Sequence, residues 1–169
     1  FVLNSDTELE SGAIENLVKA GEKDSKYGIL GPKISFDDKK TIWFAGGIFD
    51  KRNILGSHRG VDQTDQGQFD AEMETDYVTG AAMFIKKEVI DKIGLFDDRY
   101  FLYYEDSDFC MRARNVGFKI VYAPSAVVYH ENAKSTGLGS SLQDYFITRN
   151  RMLYASKFSS FKTKFALFR

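Results

Sequence analysis

Three acids stand close together in the stretch Tyr100 to Arg114, YFLYYEDSDFCMRAR: Glu105, Asp106 and Asp108. They follow the apolar run Phe101, Leu102, Tyr103, Tyr104 and open a segment in which Phe109, Cys110 and Ala113 recur at helical spacing. This pattern sets carboxylates at a helix entrance against an aromatic wall, where free backbone N–H groups and the macrodipole stabilise negative charge. A carboxylate held there can deprotonate an attacking hydroxyl, although the ordinary reading of an acid in a first helical turn is a cap. Two further residues carry chemistry at a distance. Asp6 lies in the opening FVLNSD, and His130 follows the run Ala126 to Tyr129. Asp and His among oxygen ligands suit a hard or borderline divalent cation such as Mg²⁺ or Mn²⁺. Bound to a diphosphate, such a cation stabilises a departing nucleoside diphosphate by neutralising charge as it develops.

The elements that must position these residues read as α/β. At 169 residues, 43% hydrophobic and 15% aromatic, the chain has the length and composition for one folded domain. Phe1 to Leu3 reads as the second half of a buried strand, so the chain is expected to be a piece of a longer protein. Ser11 to Lys23 reads as an amphipathic helix capped by Ser11, and Tyr27 to Ser35 as a strand. Thr41–Phe44 and Gly47–Phe49 read as a pair of short strands. From Asp50 to Glu74 no period persists, which predicts a long loop with His58 solvated in it. The segment Asp62 to Asp70 fails the EF-hand pattern, because Thr64 and Gln66 stand where acids should ligate. A strand spans Asp76 to Ile85, interrupted at Gly80 where something approaches the backbone closely. A short helix over Lys87 to Ile93 stops at Gly94, and after the acidic helix come strands Phe118–Ala123 and Ala126–Tyr129, turned by Pro124. Asp6, Asp106 and His130 thus fall at element ends in three α/β units, and a parallel-type sheet would bring such ends to one rim.

Charge and cysteine usage narrow the partners. A formal charge of -1 gives no footing for a nucleic-acid partner. The single cysteine, Cys110, reads as a small buried apolar residue and fits a reducing compartment. Residues 141 to 169 read as a separate C-terminal segment, helical for at least its first half. From Arg149 onward it is basic without an acid, and Phe158, Phe161, Phe165 and Phe168 recur at three- and four-residue intervals. Such a stripe docks on protein or lies at a membrane surface. The expected location is cytoplasmic, at the inner face of a membrane if the stripe meets lipid.

The chain resembles the inverting glycosyltransferases of family 2, which have the GT-A fold and include bacterial rhamnosyl- and galactofuranosyl-transferases. FVLNSDTE resembles the strand that ends in the family's DxD-type motif. TIWFAGGIFD resembles a segment between the two main motifs. DYVTGAAMFIKKEVIDKIGLFDDRYFLYYEDSDFCMRARNVGFKIVYAPSAVVYHE resembles the long acceptor-side signature, and YFITRNRMLY the helix after the catalytic core. The resemblance covers the family's carboxyl-terminal two-thirds. It implies a partial GT-A fold, with a mixed, mainly parallel sheet flanked by helices and without the nucleotide-binding strands, residues 1–140 forming the metal and acceptor side.

The resemblance further implies that Asp6 and His130 hold the cation and that Asp106 is the general base, with Glu105 orienting the acceptor. Gly80 and Ala81 would line the cleft, and Arg149 would reach a diphosphate unless it is a surface cation. Asn4 stands where many members carry the first Asp of DxD, which leaves one strong carboxylate ligand on the donor side. Asp108 is expected to pair with Arg112 one turn later. The implied reaction is one in-line displacement at the anomeric carbon. It moves a sugar from a nucleotide-diphosphate donor to a hydroxyl of a glycan or lipid-linked acceptor, with inversion, in the parent protein; the piece alone is expected to be inactive. Two other classes stay open: a metal-dependent hydrolase or nucleotidyltransferase, and a non-catalytic glycan- or partner-binding domain.

Overall fold

The computed structural model describes residues 1–131 and 140–167. Its centre is a parallel pair of long strands, β3 (Tyr27–Phe36) and β9 (Lys119–His130). In β3 every residue from Gly28 to Ser35 is buried, as expected of a strand covered on both faces. The pairing shifts register twice, between Tyr27 and Ile29 and, by more, where Pro32 faces Ala123 and Lys33 faces Val127. Pro124 lies in the second break, where its missing N–H costs no ladder bond. The two strands expected around Pro124 are therefore one bulged strand.

Shorter strands complete the sheet. β1 (Val2–Leu3) pairs with β8 (Ala82–Ile85), β8 with β3, and β2 (Thr7–Leu9) with β9, all antiparallel. β4 (Ile42–Phe44) and β7 (Met73–Glu74) add antiparallel to β3 and β9. The sheet is mixed, with its parallel share carried by the central pair. Val2 is half-buried and Leu3 exposed, so the opening run is an edge strand and not a buried one.

Helix α1 (Ala13–Glu22) covers one face, packing Ala13, Leu17 and Ala20 on Leu30, Val121 and Ala126. Gly12, at φ 81°, occupies its N-cap position, and no side chain caps it. The glycine supplies a left-handed turn that a serine tolerates poorly, which displaces the cap expected at Ser11. On the other face lie α2 (Lys87–Ile93), closed by Gly94 at φ 75°, and α3 (Glu105–Asn115), which buries Phe109, Cys110 and Ala113. Helices α4 (Ser141–Phe158) and α5 (Phe161–Leu167) follow, broken at Ser159 and Ser160. The main core extends across residue 140, because Tyr154 and Ala155 of α4 are buried in it.

The segment expected to be a long loop supplies the second strand of a hairpin. β5 (Gly47–Asp50) pairs with β6 (Leu55–His58), not with β4. β6 reads LGSH and is largely exposed, so no alternation marks it in the sequence. Asp65 and Asp70, in the segment screened for calcium, instead hold the buried Lys33 ammonium, Asp65 Oδ2 at 2.7 Å.

Candidate active site

A cavity of about 620 Å³ opens beside the amino end of α3. Asn4, Asp6, Gly80, Ala81, Glu105, Asp106 and His130 all line it, together with Trp43, His58, Tyr77, Thr79 and Tyr104. Arg149 is not among the lining residues. Its guanidinium instead donates to the Arg99 carbonyl at 2.8 Å from an exposed position on α4.

Asp6 and His130 meet through the β2–β9 pairing. Thr7 faces His130 in the antiparallel register, and Glu131 N–H donates to the Asp6 carbonyl at 3.0 Å. That register sets His130 Nε2 3.3 Å from Asp6 Oδ1. The convergence expected from a parallel rim is thus produced by an antiparallel pair. His130 is buried, and among the described residues neither ring nitrogen has a hydrogen-bond partner. Buried polar atoms are normally satisfied, so an orphaned imidazole beside a carboxylate fits a pair that shares a cation, nitrogen and oxygen being a donor set that suits Mn²⁺. Among the described residues no group of three His, Cys, Asp or Glu side chains could hold a metal ion. The pair by itself supplies two donors, fewer than a bound cation needs.

The acid pair is built differently. Tyr104, at φ 70°, stands at the N-cap of α3 without a side-chain cap bond, and Asp108 N–H bonds its carbonyl at 2.9 Å. Asp106 Oδ2 accepts from Gly80 N–H at 3.2 Å, while Oδ1 accepts from Ser107 N–H at 2.6 Å and Ser107 Oγ at 3.2 Å. Asp106 therefore does bond one N–H of its own helix, but it also faces the cavity. The close approach expected at Gly80 is made at its N–H by Asp106; a methyl on Gly80 would meet Glu105 Oε1 only at an ordinary contact distance of 3.8 Å. Glu105 Oε2 is buried with no partner. Burial raises both carboxyls above the usual range, Glu105 to about 7 with the Asp106 charge adding to the effect. Three donors favour the anion on Asp106 and none serves Glu105 Oε2, so the shared proton rests on Glu105. The arrangement offers a carboxylate base beside a neutral acid.

Asp108 belongs elsewhere. Fully buried, it accepts from Arg112 Nε at 2.6 Å and Tyr100 Oη at 3.1 Å, and it also binds Lys157 of α4. Lys157 bonds Asp97 Oδ2 as well, at 2.9 Å, and Arg151 bonds the Asn53 carbonyl at 2.8 Å. The basic residues of α4 thus dock that helix on its own domain. On α5, Phe161 and Phe165 are exposed; Phe168 lies outside the described residues.

His58 overturns the expectation of a solvated histidine. It lines the cavity, with its ring 4.5 Å from Trp43 and 5.0 Å from Phe44, and Trp43 packs on His130 as well, at 4.6 Å. Nδ1 lies 3.1 Å from the Trp43 carbonyl, which can only accept, so Nδ1 carries the proton and Nε2 is left an acceptor. Burial lowers its pKa to about 4. The sequence carries no signal for this, since the strand that returns His58 opposite Gly47 shows no alternation.

Comparison with known proteins places this cavity in context. The family described as Glycosyltransferase like family 2 matches residues 1–155. An N-acetylglucosaminyl-diphospho-decaprenol L-rhamnosyltransferase of Mycobacterium tuberculosis is 29% identical over 153 residues, 81% of this chain and 48% of the relative. The low-salt glycan biosynthesis hexosyltransferase Agl10 of Haloferax volcanii is 26% identical over 165 residues, 95% of this chain and 51% of the relative. The chain therefore spans about half the length of these curated relatives. A crystal structure of GalNAc-T7 with UDP, GalNAc and Mn²⁺ matches with a TM-score of 0.60 at 18% identity, over 91% of this chain and 34% of that one. At that identity the likeness is one of fold, and the fold is that of the GT-A glycosyltransferases. With the family match running from the first strand through the core of α4, the chain belongs to the glycosyltransferase-like family 2.

Proposed function

We propose that this chain is the part of an inverting glycosyltransferase that holds the base and the cation ligands. The full-length protein moves a sugar from a nucleotide-diphosphate donor to a hydroxyl of a glycan or lipid-linked acceptor. The observation that carries this reading is one cavity lined by Asp6, His130 and Asp106. The relatives named for rhamnosyl and hexosyl transfer, one of them acting on a diphospho-decaprenol acceptor, support the substrate classes.

Asp106 accepts the proton of the acceptor hydroxyl, its charged form held by Gly80 N–H and by Ser107. Glu105, neutral beside it, orients the acceptor by donating a hydrogen bond. Asp6 and His130 hold a divalent cation, Mn²⁺ or Mg²⁺, which when bound neutralises charge on the departing diphosphate. Asn4, Gly80 and Ala81 form the small-residue wall against which donor and acceptor meet. Arg149 reaches the diphosphate only by leaving its bonds to the Arg99 carbonyl and Asn150 Oδ1. A single displacement with one base inverts the anomeric carbon.

No helix among the described residues is long and apolar enough to cross a membrane. A membrane contact through α5 has only its exposed Phe161 and Phe165 in its favour. The experiment is a thermal-shift screen of nucleotide-diphosphate sugars against the full-length protein, with and without Mn²⁺. One sugar nucleotide should stabilise it in a Mn²⁺-dependent way; stabilisation by none would contradict the reading.

A further inference from the structure

The loop that leads into the acid pair has an unusual backbone. Phe101, Tyr103 and Tyr104 have φ of 60°, 66° and 70°, a left-handed region that aromatic L-residues avoid unless the surroundings over-determine it. Its neighbour on α4 is Asn150, which is fully buried. Asn150 Nδ2 lies 2.8 Å from the Tyr100 carbonyl, 2.6 Å from that of Leu102 and 2.8 Å from that of Tyr103. Two N–H groups thus serve three carbonyls of one loop. Asn150 Oδ1 is in turn oriented by Arg149 Nη1 at 2.7 Å, which fixes the amide's direction. From the other side, Tyr104 Oη donates to the Ile54 carbonyl at 2.6 Å. Tyr104 is the residue that starts α3, with Glu105 and Asp106 as the first two helical positions.

We propose that Asn150 is a positioning residue for the acid pair: its amide holds the loop Tyr100 to Tyr103, with Phe101 and Tyr103 left-handed, in the conformation that starts α3 at Glu105. Without it the Leu102 and Tyr103 carbonyls lose this donor, the loop relaxes toward ordinary backbone, and the first turn of α3 shifts the two carboxyls relative to Gly80. The kinetic consequence rests on the role given to Asp106 above. The conformational consequence does not.

The test uses Asn150→Ala in the full-length protein. Amide exchange over residues 101–106 should rise at least tenfold, with the central amides of β3 and β9 unchanged. Turnover should fall about 100-fold while KM for the donor stays within threefold, and the pH profile of the remaining activity should shift, which mere loss of folded protein would not cause. Phe101→Gly, which removes a strained φ at a residue outside the cavity lining, should restore part of the protection and turnover in the Asn150→Ala background. If Asn150→Ala does not fold, Asn150→Ser keeps one donor and carries the same comparison. Unchanged exchange over 101–106 in a folded variant overturns the proposal, and so does a rise spread equally over β3 and β9. If the unaltered protein transfers no sugar, the proposed function fails and the exchange data alone decide the role of Asn150.

Discussion

Glu105 and Asp106 are adjacent, yet Asp106 accepts from Gly80 N–H and twice from Ser107 while Glu105 keeps one oxygen buried without a partner. That difference underlies the roles proposed for the two carboxyls, and it has a thermodynamic signature. A carboxyl whose folded pKa is about 7 against about 4.5 unfolded binds more protons in the folded state between those values. Stability therefore falls as pH rises through that window. Glu105→Gln should raise stability by about 3 kcal/mol at pH 8 and by almost nothing at pH 4, read as melting temperature against pH. A pH-independent gain would contradict the shared proton.

His58 supplies a second, opposite pH dependence. Its folded pKa of about 4 lies below the unfolded value of 6.5, so the unfolded chain takes up the proton first and stability is lost as pH falls from about 6.5 to about 4. ¹⁵N NMR of the histidine side chains should show one imidazole that stays neutral and Nδ1-protonated down to pH 5. His58→Phe, which keeps an aromatic ring against Trp43, should flatten the acid limb of the stability curve. A His58 that titrates near 6.5 would return it to solvent.

Asp108 joins α3 to α4 through Arg112 and Lys157. Asp108→Asn leaves two cations facing a neutral amide in a buried place, and breaking such a pair costs about 3 kcal/mol. Chemical denaturation should show that loss. A change under about 0.5 kcal/mol would mean that the network is relaxed by solvent.

The orphaned nitrogens of His130 beside Asp6 predict where a cation binds. Asp6→Ala and His130→Ala in the full-length protein should each weaken Mn²⁺-dependent donor binding by tenfold or more while changing metal-free stability little. Mn²⁺ titration by calorimetry in the presence of donor measures this, and unaltered Mn²⁺ affinity in both variants would remove the pair as ligands.

Long periodic or fully apolar segments were legible in the sequence: β3, α2, α3 and the helical character of α4 appear where spacing predicts them. The Asp108–Arg112 pair was legible from its i, i+4 spacing, though not its burial. Elements that depend on tertiary partners were not. β6 is a strand only because β5 pairs with it, and Gly12 displaces Ser11 through a backbone angle that no periodicity records. In the cavity, Asp6, His130 and the acid pair could be named from residue type and family likeness. Trp43 and His58 could not, since their place follows from folding two short strands over one another. Asn150 escaped for a related reason: an asparagine in a helix says nothing until the strained loop it holds is known.

The central claim is that Asp106 takes the proton of the acceptor. The most direct measurement is transfer from the donor found by the screen, in the full-length protein carrying Asp106→Asn, beside donor affinity in the same sample. Transfer should fall about 10³-fold, within the range general-base catalysis supplies, with donor affinity changed less than threefold. Transfer retained within tenfold of the unaltered protein would contradict the account.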